Sequence, residues 1–105
     1  MDHLKMKELE TLLQAVAHFG AAAQQIKTVE ELGELSQALC KYMSHPEGNA
    51  ESEMALFDHV AEEMADVYIM LEQLKIILNN HDRVDAWAHE KLARLASRLP
   101  DMKER

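Results

Sequence analysis

Apolar residues recur along most of this chain at steps of three and four, the spacing that lines one face of a helix. The longest such stretch runs from about Glu53 to Asn79. Within it Val60, Met64, Val67, Leu71, Leu74 and Leu78 form one apolar stripe. Met70 and Ile77 flank that stripe, and Ile69 and Ile76 lie behind it. A helix apolar around most of its circumference is buried against several neighbours, so this element is predicted to be the central one. Glu63 and Asp66 stand on the Met70/Ile77 flank, one turn apart. A carboxylate among apolar side chains is unstable without a compensating cation, which can be an Arg, a Lys or a metal ion. The same residues, with Glu62 and Glu72, also fit a solvated face, because side chains at the edge of a stripe can bend to water.

The remaining pattern is helical too. Leu9, Leu12, Leu13, Val16 and Phe19 give a first helix that ends near Gly20, a residue suited to a helix C-terminus. A second helix is predicted from about Ala21 to Met43, with Val29, Leu32, Leu35, Leu39 and Met43 as its core face. Lys27, Glu30, Glu34, Gln37 and Lys41 lie opposite. Gly33 inside that helix costs roughly 1 kcal/mol against Ala, which points to a close helix contact there. Ser44 to Ser52, with His45-Pro46 and Gly48-Asn49, reads as a loop, and Asn79 to Asp82 as a turn with Asp82 as N-cap. A last helix from about Arg83 to Leu99 carries Val84, Trp87, Ala88, Leu92, Leu95 and Leu99 as its core stripe and stops at Pro100. Few runs alternate as strands do. The expectation is an all-α fold, one domain over residues 1–105, built as a four-helix bundle.

Composition narrows the function. The chain has 105 residues, 48% of them hydrophobic, enough for a single modest core. Eleven Lys and Arg against 19 Asp and Glu leave a net charge of −8, which repels nucleic acid and anionic membranes. A nucleotide substrate would need a cation or a local basic cluster to be held. The single Cys, Cys40, excludes an internal disulfide and fits a reducing compartment. No apolar run approaches membrane-spanning length, and MDHLKMKELE lacks a signal-peptide core. A cytoplasmic protein is expected.

The chemistry lies in the acids. Glu31 and Glu34 are three apart on the second helix, so their carboxylates share a face, with Lys27 one turn earlier. Glu63 and Asp66 repeat that spacing on the central helix. Two facing helices each offering a carboxylate pair make an all-oxygen site of the kind that suits Mg²⁺ or Mn²⁺. No Cys or His stands at a ligand spacing that competes, and none of the six His follows a Glu by three as di-iron bundles require. Lys91, Arg94 and Arg98 form a cationic strip on the last helix, able to hold phosphate oxygens. Cations there also complement a helix C-terminus. An acid cluster, a metal and a basic strip together describe a phosphoryl-transfer or pyrophosphate-cleaving site.

The segment Lys27-Thr28-Val29-Glu30-Glu31-Leu32-Gly33-Glu34-Leu35, followed by Glu62-Glu63-Met64-Ala65-Asp66, resembles the EExxE…ExxD signature of the all-α nucleoside triphosphate pyrophosphohydrolases, the MazG-like superfamily. Ala88-His89-Glu90-Lys91-Leu92-Ala93-Arg94 is similar to its C-terminal ANEKxxR-type segment, with His89 where Asn is common. The likeness spans about residues 20 to 98 and is nearest to small phage-type members. It implies cleavage of a nucleoside triphosphate to monophosphate and pyrophosphate. It further implies Mg²⁺ held by Glu31, Glu34, Glu63 and Asp66, with Mn²⁺ as a possible substitute. Glu30 would orient or deprotonate the attacking water, and Lys27, Lys91 and Arg94 would contact the phosphates. A homodimer or homotetramer is implied as well, and Ile69 and Ile76, behind an already buried stripe, read as surface for such a contact. Trp87 and Tyr68 could stack on a nucleobase, although large aromatics on a stripe are more often core. The elements that mark dCTP-preferring and phosphoribosyl-ATP relatives are not evident. The competing expectation is a non-catalytic helical dimer that binds a nucleotide or a protein partner.

Overall fold

The computed structural model describes residues 4–46 and 50–100. Among them the chain forms four helices and no strand: α1 (Met6–Phe19), α2 (Ala21–Ser44), α3 (Ala50–Leu78) and α4 (His81–Ser97). The periodic segments are thus helices, within three residues of the expected ends. Gly48-Asn49 of the expected loop lies outside the described residues. Gly20 breaks α1 from α2 at a φ of 93°, in the left-handed half of backbone space where a side chain would clash. Asn79, at φ 48°, makes the α3–α4 turn, a conformation Asn tolerates better than most residues. α4 restarts at once. The Val84 amide donates to the Asn80 carbonyl at 3.0 Å, so Asn80 and not Asp82 occupies the cap position.

α2 and α3 form a long antiparallel hairpin, and α1 lies across both. α3 presents Val67 and Met70 to α2, while Ala65, Tyr68 and Ile69 lie toward Leu12 of α1. Beyond its first turn, where Val84 lines a cleft with Leu71, Leu74 and Leu78, α4 stands clear of the other helices and buries no residue. The radius of gyration is 17.6 Å, against about 13 Å for a compact domain of this length. The four helices are present, but only three pack.

That geometry corrects the expected core. Of the α3 stripe only Val67 is buried; Met64, Leu71 and Leu78 are exposed, Met64 at 57%. Val29, Leu32, Leu39 and Met43 of α2 are exposed, as are Val84, Trp87, Leu92, Leu95 and Leu99 of α4. The α2–α3 contact instead buries Gln24, Thr28, Glu31, Ala38, Glu63, Val67, Met70 and Gln73. Periodicity identifies a face that must leave water without naming what covers it. Here a polar seam joins the hairpin and the apolar seams point outward. Ile69 is exposed, beside a cleft shared with Leu12 of α1, whereas half-buried Ile76 borders a cleft shared with Leu9. Gly33 touches nothing, since a Cβ built there would have no heavy atom within 4 Å.

Candidate metal centre

The polar seam has one register. Gln24 donates from Nε2 to Gln73 Oε1 at 2.8 Å, Glu31 meets Asp66, and the charge of Glu34 acts on Glu63. In each pair the residue numbers sum to 97, as an antiparallel helix pair requires. Thr28 caps this layer by donating its hydroxyl to the Gln24 carbonyl at 2.8 Å, and Gln73 Nε2 reaches Met70 Sδ at 3.5 Å. The Gln pair is satisfied. The acids beside it are not.

Glu31 and Glu63 are 5% and 6% exposed, and each keeps one buried carboxylate oxygen, Oε2, without a hydrogen-bond partner. One oxygen from each of Glu31, Glu63 and half-buried Asp66 falls within a 4.8 Å cluster. Lys27 Nζ approaches Glu31 Oε1 at 3.2 Å and Glu30 Oε2 at 4.0 Å, but its side chain is half in solvent. One screened cation cannot answer three converging carboxylates. Their acidities record the strain. Burial pushes the Glu63 carboxyl above its ordinary value, and Glu34 and Asp66 push it further while His59 opposes them. Burial likewise raises Asp66, with Glu31 next. The hydrogen bond to Glu31 raises Lys27. Glu72, also buried, differs because Lys75 Nζ sits 2.7 Å from its Oε2.

Buried oxygens with no partner are rare in folded proteins and call for an explanation. A divalent cation supplies one: it takes hard carboxylate oxygens, and its charge removes the repulsion among them. The donor set Glu31, Glu63 and Asp66 is all oxygen and suits Mg²⁺ or Mn²⁺.

Of the residues singled out from the sequence, the fold brings Lys27, Glu31, Glu63 and Asp66 together. Glu34 is exposed and outside the cluster of three, though its charge reaches Glu63. Glu30 is exposed beside Lys27. Lys91 and Arg94 stay on α4, away from the hairpin, where Lys91 lies 5.9 Å from the Trp87 ring centre and Arg94 binds Glu90 at 2.9 Å. His89 is exposed, and Trp87 is not core. Tyr68 faces α1, with its hydroxyl buried and without a partner.

A histidine does stand at ligand spacing, contrary to the sequence expectation. His59 Nδ1 is 3.3 Å from Glu62 Oε1 and His59 Nε2 is 3.9 Å from Glu63 Oε1. The signal was present as His-x-x-Glu-Glu, a histidine three and four residues before the acids. The Glu-x-x-His pattern of di-iron bundles has the opposite polarity along the helix.

Compared with protein families, characterised proteins and solved structures, the chain finds no match.

Proposed function

We propose that the protein is a Mg²⁺-dependent nucleoside triphosphate pyrophosphohydrolase of the MazG-like kind, cleaving a (d)NTP to (d)NMP and pyrophosphate. The observation that carries this reading is the pair of buried carboxylates on facing helices, Glu31 and Glu63, each with one oxygen that has no hydrogen-bond partner, with Asp66 beside them. These three, with Glu34 moving in from the rim, would hold Mg²⁺ or its substitute Mn²⁺. A bound divalent ion there would lower the pKa of water and offset charge on phosphate oxygens. Glu30, next to Glu31 and open to solvent, is assigned to orient the attacking water and accept its proton. That water adds to the α-phosphorus, the bond from the α-phosphorus to the bridging oxygen breaks, and pyrophosphate leaves. Lys27 sits one turn before Glu31 and is assigned to a phosphate oxygen. Lys91 and Arg94 keep the same assignment, conditional on α4 reaching a hairpin in an assembled protein. Lys91 is exposed and the Arg94 side chain, though paired with Glu90, is 57% exposed, so both can be reached by a ligand.

We further propose that the working form is a homodimer or a homotetramer. The accessible area is 8577 Å², whereas a compact monomer of 12.0 kDa exposes about 6,000 Å². Phe57, Met64, Leu71 and Leu78 are all exposed and lie seven residues apart on α3, the repeat of a helix-to-helix seam. Gly33, Ile26 and Val29 share an exposed side of α2, where a missing Cβ allows close approach. A second copy is the occupant that fits, since identical seams are complementary in length and chemistry. Nucleic acid is not a proposed partner at net charge −8, and among the described residues no helix is long and apolar enough to cross a membrane.

The test is direct. The protein is incubated with Mg²⁺ and a panel of ribo- and deoxyribonucleoside triphosphates, and the products are separated. Monophosphate plus pyrophosphate is expected. Diphosphate plus phosphate would place the cleavage elsewhere and break the likeness to the MazG-like enzymes. No product with Mg²⁺ or Mn²⁺ would leave the non-catalytic binding dimer as the better reading.

A further inference from the structure

The carboxylate cluster does not use everything around Glu63. On the turn before it, His59 directs both ring nitrogens toward acids: Nδ1 toward Glu62 at 3.3 Å and Nε2 toward Glu63 at 3.9 Å. The second distance is too long for a hydrogen bond, so His59 does not satisfy the Glu63 carboxylate. One ligand atom from each of His59, Glu62 and Glu63 lies within 4.8 Å of the others. Glu63 is the one residue common to this set and to the Glu31/Asp66 set. It is 94% buried, and its Oε2 has no partner in the protein.

We propose that His59, Glu62 and Glu63 form a second metal position, with Glu63 bridging it to the Glu31/Asp66 position, and that it takes a first-row transition ion. The chemistry of the donors sets the preference. Carboxylates suit Mg²⁺ and Mn²⁺, whereas imidazole nitrogen suits Zn²⁺, Co²⁺ and their neighbours. The two positions therefore differ in kind: one is all oxygen, the other mixes nitrogen and oxygen. A carboxylate has two oxygens and can offer one to each ion, and bridged pairs typically sit about 3.5–4 Å apart. Spacing on the helix favours the set, because positions three and four residues after a histidine lie over the same face. His59 and Glu62 are 46% and 69% exposed at the side chain, so an ion held there keeps open positions for water or a ligand oxygen. The competing account is a solvated His–Glu ion pair, which contributes little and binds nothing. This inference borrows Glu63 from the proposed centre but is decided by metal binding, independently of turnover.

The experiment uses full-length protein stripped with a chelator and titrated with Co²⁺, read by visible absorption and by bound metal after dialysis. Two Co²⁺ per chain are expected, one of them displaced by excess Mg²⁺ and one not. His59→Gln should lose the Mg²⁺-resistant ion, with affinity reduced tenfold or more, and Glu62→Gln should weaken the same ion. Asp66→Asn should lose the Mg²⁺-sensitive ion and keep the other. His59 and Glu62 are exposed, so circular dichroism of their variants should match that of the parent. Unchanged Co²⁺ stoichiometry and affinity in His59→Gln would overturn the proposal, as would displacement of all Co²⁺ by Mg²⁺ in the parent. Retention of the Mg²⁺-resistant ion in a protein that cleaves no triphosphate would support this site while removing the hydrolytic reading.

Discussion

Replacing Leu71 with Arg puts a charge in the middle of the exposed α3 seam, between Met64 and Leu78. If that seam is solvent-facing in the working protein, the substitution is nearly neutral, because exposed sites tolerate change within about 0.5 kcal/mol. Burial against a second copy gives a different magnitude. The chain exposes 8577 Å², about 2,600 Å² more than a compact monomer of its mass. Two chains covering that excess would bury about 5,000 Å², the range of obligate dimers. An uncompensated charge in such an interface costs about 3–5 kcal/mol, and two-fold symmetry places it there twice. Some 6 kcal/mol or more weakens dimerisation by a factor on the order of 10⁴. Light scattering and sedimentation decide the matter. The parent should run at 24 kDa, twice 12.0 kDa, or at a higher multiple, with a melting temperature that rises with concentration. Leu71→Arg should run as monomer or lose helicity, and Glu10→Arg, at an exposed position of α1, should behave as the parent. A parent that sediments at 12.0 kDa in the micromolar range, with a concentration-independent melt, would refute the reasoning.

Three further outcomes follow from the polar seam. Glu63→Ala should abolish pyrophosphate release while leaving the helical circular dichroism spectrum in place; full activity would remove Glu63 from the centre. Burial raises the pKa values of Glu63 and Asp66, so the metal-free fold binds protons there more tightly than the unfolded chain does. Their contribution favours the fold below the ordinary carboxylate range and is lost as pH rises through the raised values. The melting temperature of chelated protein should therefore fall with rising pH relative to a Glu63→Gln/Asp66→Asn variant, and Mg²⁺ should reverse the difference; parallel pH profiles would argue against this. Gln24→Leu should cost about 1–3 kcal/mol in urea melts by stranding the Gln73 amide, while Gln24→Leu/Gln73→Leu should recover most of it. A double variant that loses the sum of the Gln24→Leu and Gln73→Leu losses would mean that the pair is not coupled.

Helix positions were legible in the sequence because they depend on neighbours within a turn. The three-and-four spacing, Gly20 and the Asn79-Asn80 break are local facts, and the elements lie where those facts put them. The carboxylate pairs were legible for the same reason, since Glu31/Glu34 and Glu63/Asp66 share faces on any helix. Only the tertiary structure decided which faces meet. Hydrophobic periodicity marks a face suited to leave water and does not say what, if anything, covers it. Met64, Leu71 and Leu78 thus read as core yet stay open in the single chain, while Gln24, Glu31, Glu63 and Gln73 close the hairpin. The antiparallel register that joins Glu31 to Asp66 depends on residues more than 30 positions apart, and no local pattern encodes it. His59 belongs to both categories. Its spacing to Glu62 and Glu63 was readable in the chain, but the burial that leaves a Glu63 oxygen without a partner exists only once α2 covers α3. Sequence therefore determined the helices and the acids they carry, and packing decided which of those acids lose water, because desolvation is a property of neighbours far apart in the chain.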